Sequence, residues 1–297
     1  MSKIQKRLSI ELFEKLGYSK GSHRGWSYVA HSESELPEVA DKTAVIFSTG
    51  EPKSPDTPVK LSLTDGRTFY AYCATRRRSV FGLLSPLSHH PFDQSFKGAL
   101  LLKDAGFPVL MPFALIRRGG LFEALQQVVL YEHKKNIVPL TELIPSLENT
   151  PDIRCREIWR QMGRHLGKLH QSNAIAGIKT ATQVFVDSTD ISKVSFRVGE
   201  GFHLNPVMRF LRECSEISGA NFVYGPQIAP LDRLRFFDEY YRFRKVTDSE
   251  KRENMALVAD LTRKKATENW NVYSGDLPKK TTYLNLIRAL DTHGARE

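Results

Sequence analysis

Residues 156–198, "REIWRQMGRHLGKLHQSNAIAGIKTATQVFVDSTDISKVSFRV", change periodicity partway along, and that change decides how the chain reads. Trp159, Met162, Leu166 and Leu169 recur at three- and four-residue spacing, which predicts an amphipathic helix over 156–170. Its apolar stripe reads as core. From Gln183 the pattern becomes that of two short strands around a turn, within "QVFVDSTDISKVSFRV". Between helix and strands lies a loop of small residues. It contains Lys179 but no Asp or Glu.

Upstream, "VKLSLTDGRTFYAY" (59–72) sets two alternating runs around Asp65-Gly66, a strong hairpin signal that points to a type I′ turn. "FDQSFKGALLLKDAG" (92–106) reads as a helix ended by Gly106, and two strands follow in "VLMPFALIRRGG" and "FEALQQVVLYEHK". "TAVIF" (43–47) reads as a further strand, 19–42 as irregular, and 3–16 as an amphipathic helix carrying Ile4, Leu8, Leu12 and Leu16. "VPLTELIPSL" begins a helical region, and the chain from 205 to 270 is helical throughout. The expected organisation is an N-terminal helix and irregular segment (1–42), a β-rich lobe with one helix (43–135) and a helical lobe (136–297). The class is α+β, β-rich first and mainly helical after.

Composition narrows the function. With 41% apolar and 26% charged residues the chain is globular. The longest apolar run, "FPVLMPFALI", is far short of the ~18–20 residues that span a bilayer, and the N-terminus has no signal-peptide core, so a cytoplasmic protein is expected. Cys73, Cys155 and Cys214 are odd in number and far apart, against a disulfide framework. His89-His90 and the other histidines lack metal-ligand spacing. The net charge of +10 favours an anionic partner. It is spread over short clusters such as Arg76-Arg77-Arg78, and no nucleic-acid signature accompanies it, so nucleic acid is not the expected partner.

The strings "SLTDGRTFYAY", "ALLLKDAGFPVLMPFALIRRGG", "MGRHLGKLH", "LDRLRFFDEYYRFR" and "LTRKKATENWNVYSGDL", in that order, resemble the lipopolysaccharide-core kinases, the Kdo and heptose kinase family of Gram-negative bacteria. The resemblance covers residues 43–277 and implies a bilobal protein-kinase-like fold. It also implies an enzyme at the inner face of the inner membrane that moves the γ-phosphate of ATP, with Mg²⁺, onto a core sugar.

The same resemblance implies a small set of charged groups, and this chain departs from each. The phosphate-binding Lys falls on Tyr72 and its partner Glu on Ser95, with Asp93 two residues out of register. The catalytic Asp falls on Ile178, after a matching Gly177. Ile has no proton acceptor, and a positioned base alone is worth roughly 10²–10⁴-fold in rate. Of the two metal-ligand positions, one is Gln183 and the other Ser195. Neutral amide and hydroxyl oxygens are poor substitutes for carboxylates on a hard cation. Glu132 matches the hinge that presents backbone groups to adenine. Nucleotide binding without metal therefore stays open, against a pocket filled by Tyr72 and Ile178.

The expected molecule is a pseudokinase of the lipopolysaccharide-core pathway with no ATP or Mg²⁺ cofactor. It would bind a protein partner of core assembly or the anionic core itself, with peripheral contact to the inner membrane. One alternative is an active sugar kinase that uses ATP and Mg²⁺ through Arg76–Arg78 and through Asp187 or Asp190, which otherwise read as turn residues. Another is a basic nucleic-acid or membrane-surface binder. "SGDLPKKTTYLN" (274–285) mimics a catalytic loop, but too few residues follow it to build the rest of a site.

Overall fold

The computed structural model describes residues 10–31, 36–48, 58–76, 91–119, 125–147, 153–205, 209–221 and 230–273. The chain divides into two compact units between Lys135 and Asn136. The α+β class and the two-part organisation expected from the sequence are those of the structure.

The first unit runs α1 (Ile10–Lys15), β1 (Ser19–His23), β2 (Trp26–Ala30), α2 (Leu36–Ser48), β3 (Val59–Ser62), β4 (Thr68–Arg76), α3 (Pro91–Asp104), β5 (Ala114–Arg118) and β6 (Leu125–Glu132). Its strands form one antiparallel sheet in the order β1-β2-β5-β6-β4-β3. Alternation sorts the side chains between two faces. Trp26, Phe69, Ala71, Ile116, Val128 and Leu130 join Leu36, Val39, Ala40 and Ile46 of α2 in one core. The opposite face carries Tyr72, Leu115, Arg117, Gln127 and Val129, and the hydrogen bond from Gln127 to Asp93 ties it to α3.

Two expectations fail in this unit. Residues 19–42 are not irregular, and "TAVIF" is not a strand. Leu36, Val39, Ala40, Thr43 and Ile46 are buried at helical spacing, and the pattern begins seven residues before Thr43. The segment before it holds a hairpin whose turn, Arg24-Gly25, has φ of 47° and 80°. Two successive positive φ values are what a type I′ turn requires. The Asp65-Gly66 hairpin forms, with a different turn. Only Gly66 has positive φ (85°), its N–H bonds to Leu63 O at 3.1 Å, and Leu63 N–H reaches Arg67 O at 2.8 Å. Of the predicted 3–16 helix, Ile10–Lys15 is observed and Leu12 is buried. Ile4 and Leu8 lie outside the described residues.

The second unit contains β7 (Ile137–Pro139), α4 (Leu140–Leu147), α5 (Ile153–Gln171), β8 (Ala174–Ile175), β9 (Val184–Asp187), β10 (Asp190–Phe196), β11 (His203–Leu204), α6 (Arg209–Asn221), α7 (Pro230–Tyr241) and α8 (Asp248–Tyr273). Small sheets β10-β9-β7 and β11-β8 lie among the helices. The α5 stripe is core, as read: Trp159, Met162, Leu166 and Leu169 are all buried. Two glycines on the same helix set its distance from α7. A Cβ at Gly163 would stand 2.2 Å from Phe236 O, and one at Gly167 2.5 Å from Tyr240 O. The spacing "GRHLG" thus brings the two backbones together where no side chain would fit.

Candidate functional site

The loop after α5 is built as a closed piece of structure. Asn173 (φ 59°) turns the chain, and β8 pairs with β11. Gly177 then adopts φ 78°. A Cβ there would lie 2.7 Å from Gly201 C, and one at Gly199 would lie 2.1 Å from Gly177 O. Glycine is needed at both places because two backbone segments cross in contact. Gly219 on α6 does the same from the other side, 2.7 Å from the carbonyls of Ile178 and Lys179.

Ile178 is buried at 2% exposure, and its N–H donates to Glu216 Oε1 at 2.8 Å. The other oxygen of Glu216 accepts from Ala176 N–H at 3.2 Å and from His170 Nε2 at 2.8 Å. On the far side of the ring, the Tyr240 hydroxyl lies 2.8 Å from His170 Nδ1. Burial holds the Tyr240 phenol pKa well above its ordinary value, so the hydroxyl keeps its proton. A carboxylate oxygen can only accept, so the His170 nitrogen facing Glu216 is the donor of that bond. All three side chains are buried, so α5, α6 and α7 converge on the loop through one chain of hydrogen bonds.

Gln183 ends a short 3-10 turn, Ala181–Gln183, and is buried. Its Oε1 accepts from Lys179 N–H at 2.8 Å. Its Nε2 donates to the carbonyls of Gly177 (3.4 Å) and Arg197 (3.3 Å). Ser195 is half-buried on β10, opposite Phe185. Ile178 and Gln183 therefore share one loop, while Ser195 belongs to the adjoining strand pair.

Asp187 and Asp190 close the β9–β10 turn. Asp187 Oδ1 accepts from Thr189 N–H (2.9 Å), the Thr189 hydroxyl (2.6 Å) and Asp190 N–H (3.3 Å), and Oδ2 accepts from Asn136 Nδ2 (3.0 Å). These bonds, the Thr189 hydroxyl first, hold its carboxyl below the usual range. Asp190 is lowered in turn by the Ser192 hydroxyl and by Lys193. Ile178 offers no donor atom to a divalent metal, and the acceptor of Gln183 already serves the loop. Among the described residues, no three of His, Cys, Asp and Glu stand close enough together to hold a metal ion.

The remaining positions lie in the first unit. Tyr72 is buried on β4 with its ring edge-to-face against Tyr131, centroids 5.8 Å apart. Ser95 is buried on α3, and its hydroxyl donates to Phe92 O at 3.1 Å, a bond within the helix. Asp93 pairs with Arg117 at 2.6 Å and accepts from Gln127, so its carboxyl is engaged by the two strands beneath α3. Glu132 is exposed at the end of β6, 3.9 Å from Lys134. The side chains of Arg76, Arg77 and Arg78, and the segment 274–285, lie outside what is described.

Sequence reasoning located the loop but missed Glu216 and the roles of His170 and Tyr240. One signal was available. On α6, Glu213 and Glu216 flank Cys214 and Ile217 on the apolar side of the helix, where an acid must have partners.

No protein-family model matches this chain, and no curated protein matches it. Solved structures do. One is WaaP in complex with acyl carrier protein, 15% identical with a TM-score of 0.48, covering 86% of this chain and 90% of that one. A glucosamine kinase is similar in two crystal forms. Form B is 10% identical with a TM-score of 0.48, covering 95% of this chain and 92% of that one. Form A is 8% identical with a TM-score of 0.47, covering 95% and 80%.

Proposed function

We propose that this chain is a kinase-like protein of the lipopolysaccharide-core pathway that has lost phosphotransfer and works by binding. Its ligand in this reading is a protein of core assembly or the anionic core itself. The observation that carries the reading is how the loop 176–183 uses its polar groups. Both ends of the Gln183 amide, and the N–H groups of Ala176 and Ile178, are bonded within the unit. An apolar side chain, Ile178, is buried where the resemblance expects a proton acceptor. The loop keeps its shape for a structural reason that does not call on chemistry. Asp187 and Asp190 support the same conclusion, since their oxygens hold a turn. The net charge of +10 suits a phosphorylated sugar as the thing bound. A place at the membrane face belongs to the same proposal. Among the described residues no helix is long and apolar enough to cross a membrane.

A ligand that binds only the folded form raises its melting temperature. Thermal unfolding with ATP should therefore show no added rise when Mg²⁺ is included, and phosphorylated core oligosaccharide should bind in calorimetry without being turned over. Magnesium-dependent ATP turnover that disappears in Asp187→Asn or Asp190→Asn would establish the active-kinase alternative instead.

A further inference from the structure

Within the first unit, α1, the β1–β2 hairpin, α3 and β5 border a half-open pocket of about 490 Å³. Small-molecule sites occupy roughly 300–1,000 Å³. Three cations from three different elements line it: Lys20 of β1, Lys97 of α3 and Arg117 of β5. The acid among its lining residues, Asp93, is already committed, taking Arg117 Nη2 at 2.6 Å and Gln127 Nε2 at 3.2 Å. Lys20 stands 5.5 Å over the Phe13 ring, and Lys97 is exposed. Among the described residues neither lysine is ion-paired with a carboxylate. The pocket thus carries two positive charges beyond those it neutralises. Its walls are also partly apolar, with Phe13 on one element and Leu115 on another.

We propose that this pocket binds a small phosphate-bearing molecule that also has a short apolar group. The phosphate would sit among Lys20, Lys97 and Arg117, where Arg117 is held in place by Asp93 and gives a fixed donor fork rather than a mobile charge. The apolar group would lie against Phe13 and Leu115. A cluster of cations on an open surface would attract any polyanion. A pocket that adds apolar walls also selects for the rest of the molecule. Apart from Asp93, whose carboxylate is taken up by Arg117 and Gln127, none of these residues enters the phosphotransfer reading, so the two proposals stand or fall separately.

The test is calorimetric titration of the full chain with hexyl phosphate and, separately, inorganic phosphate, at an ionic strength of about 0.1 M. Hexyl phosphate should bind at one site and roughly tenfold more tightly than inorganic phosphate, because several methylenes leave water. Lys20→Gln and Lys97→Gln should each weaken it about three- to tenfold. Lys193→Gln, on β10 of the other unit, should change nothing. Circular dichroism checks that each variant is folded. The proposal is overturned if hexyl phosphate does not bind or binds no better than inorganic phosphate. It is equally overturned if Lys193→Gln weakens binding as much as the pocket variants do, the behaviour of a basic chain attracting anions at large.

Discussion

Truncating Glu216 to Ala tests whether the loop is held from α6. The substitution removes the acceptor of three donors at once: Ile178 N–H, Ala176 N–H and the His170 ring, at 2.8, 3.2 and 2.8 Å. All lie where water is scarce, since Ala176, Ile178 and His170 are 2% exposed or less. A buried donor left without a partner costs about 1–3 kcal/mol. Some of the three will be recovered by relaxation or an entering water, so the net loss should be about 3–5 kcal/mol, as for removing one partner of a buried pair. Glu216→Gln keeps one acceptor oxygen but turns an amide N–H toward a backbone donor, so it should cost about half as much. Urea unfolding followed by circular dichroism gives the stability. Hydrogen exchange over residues 172–183 should show accelerated exchange at Ala176 and Ile178 in both variants. If Glu216→Ala unfolds within about 1 kcal/mol of the unaltered chain, or protection at those amides is unchanged, the loop is held by something else.

Two further outcomes follow from the helical unit. Gly163→Ala should destabilise by about 1–3 kcal/mol in urea unfolding, because overpacking against Phe236 O outweighs the ~1 kcal/mol helix preference of Ala; unchanged or raised stability would show that α5 and α7 separate freely. His165 has its pKa pushed down to about 4, by burial first and then by Lys168 and Arg164. Below an unfolded value near 6.5 the unfolded chain takes the proton first, so stability is full above that pH and falls as pH drops from about 6.5 toward about 4. With allowance for partial exposure the loss is roughly 2 kcal/mol, and His165→Gln should flatten the pH dependence of the urea midpoint in that window; an unaltered slope would assign it to other groups.

What could be read from the chain were the stretches where side chains repeat with one period: β3–β4, α3, β5–β6, α5 and β9–β10. Helix α2 escaped because its apolar positions start at Leu36, among polar residues that resemble a loop, while Thr43–Phe47 taken alone holds four strand formers in five residues. The β1–β2 hairpin escaped because Ser19–His23 contains no large apolar residue and its turn is Arg-Gly instead of Asn-Gly or Asp-Gly. The candidate loop was legible by position, through Gly177, Ile178 and Gln183. What holds it was not. The contact between Ile178 and Glu216 joins residues far apart in the chain, and a Glu on a helix with many polar residues reads as solvated unless the buried side of that helix is known.

The pairing of β2 with β5, which sets Ser27 opposite Arg117, has a consequence for how the chain is born. The first hairpin leaves the ribosome about 90 residues before the strand that completes it, an interval of roughly 5–18 s at ordinary rates of synthesis. Throughout that interval one edge of β2 lacks its neighbour, and Trp26 and the apolar side of α2 lack the strands that cover them. Closing so long a loop is slow, and an unpaired strand beside bare apolar surface invites mispairing. Nascent chains halted before residue 114 should therefore be held by chaperones and cut readily by proteases, and chains released after β6 should not.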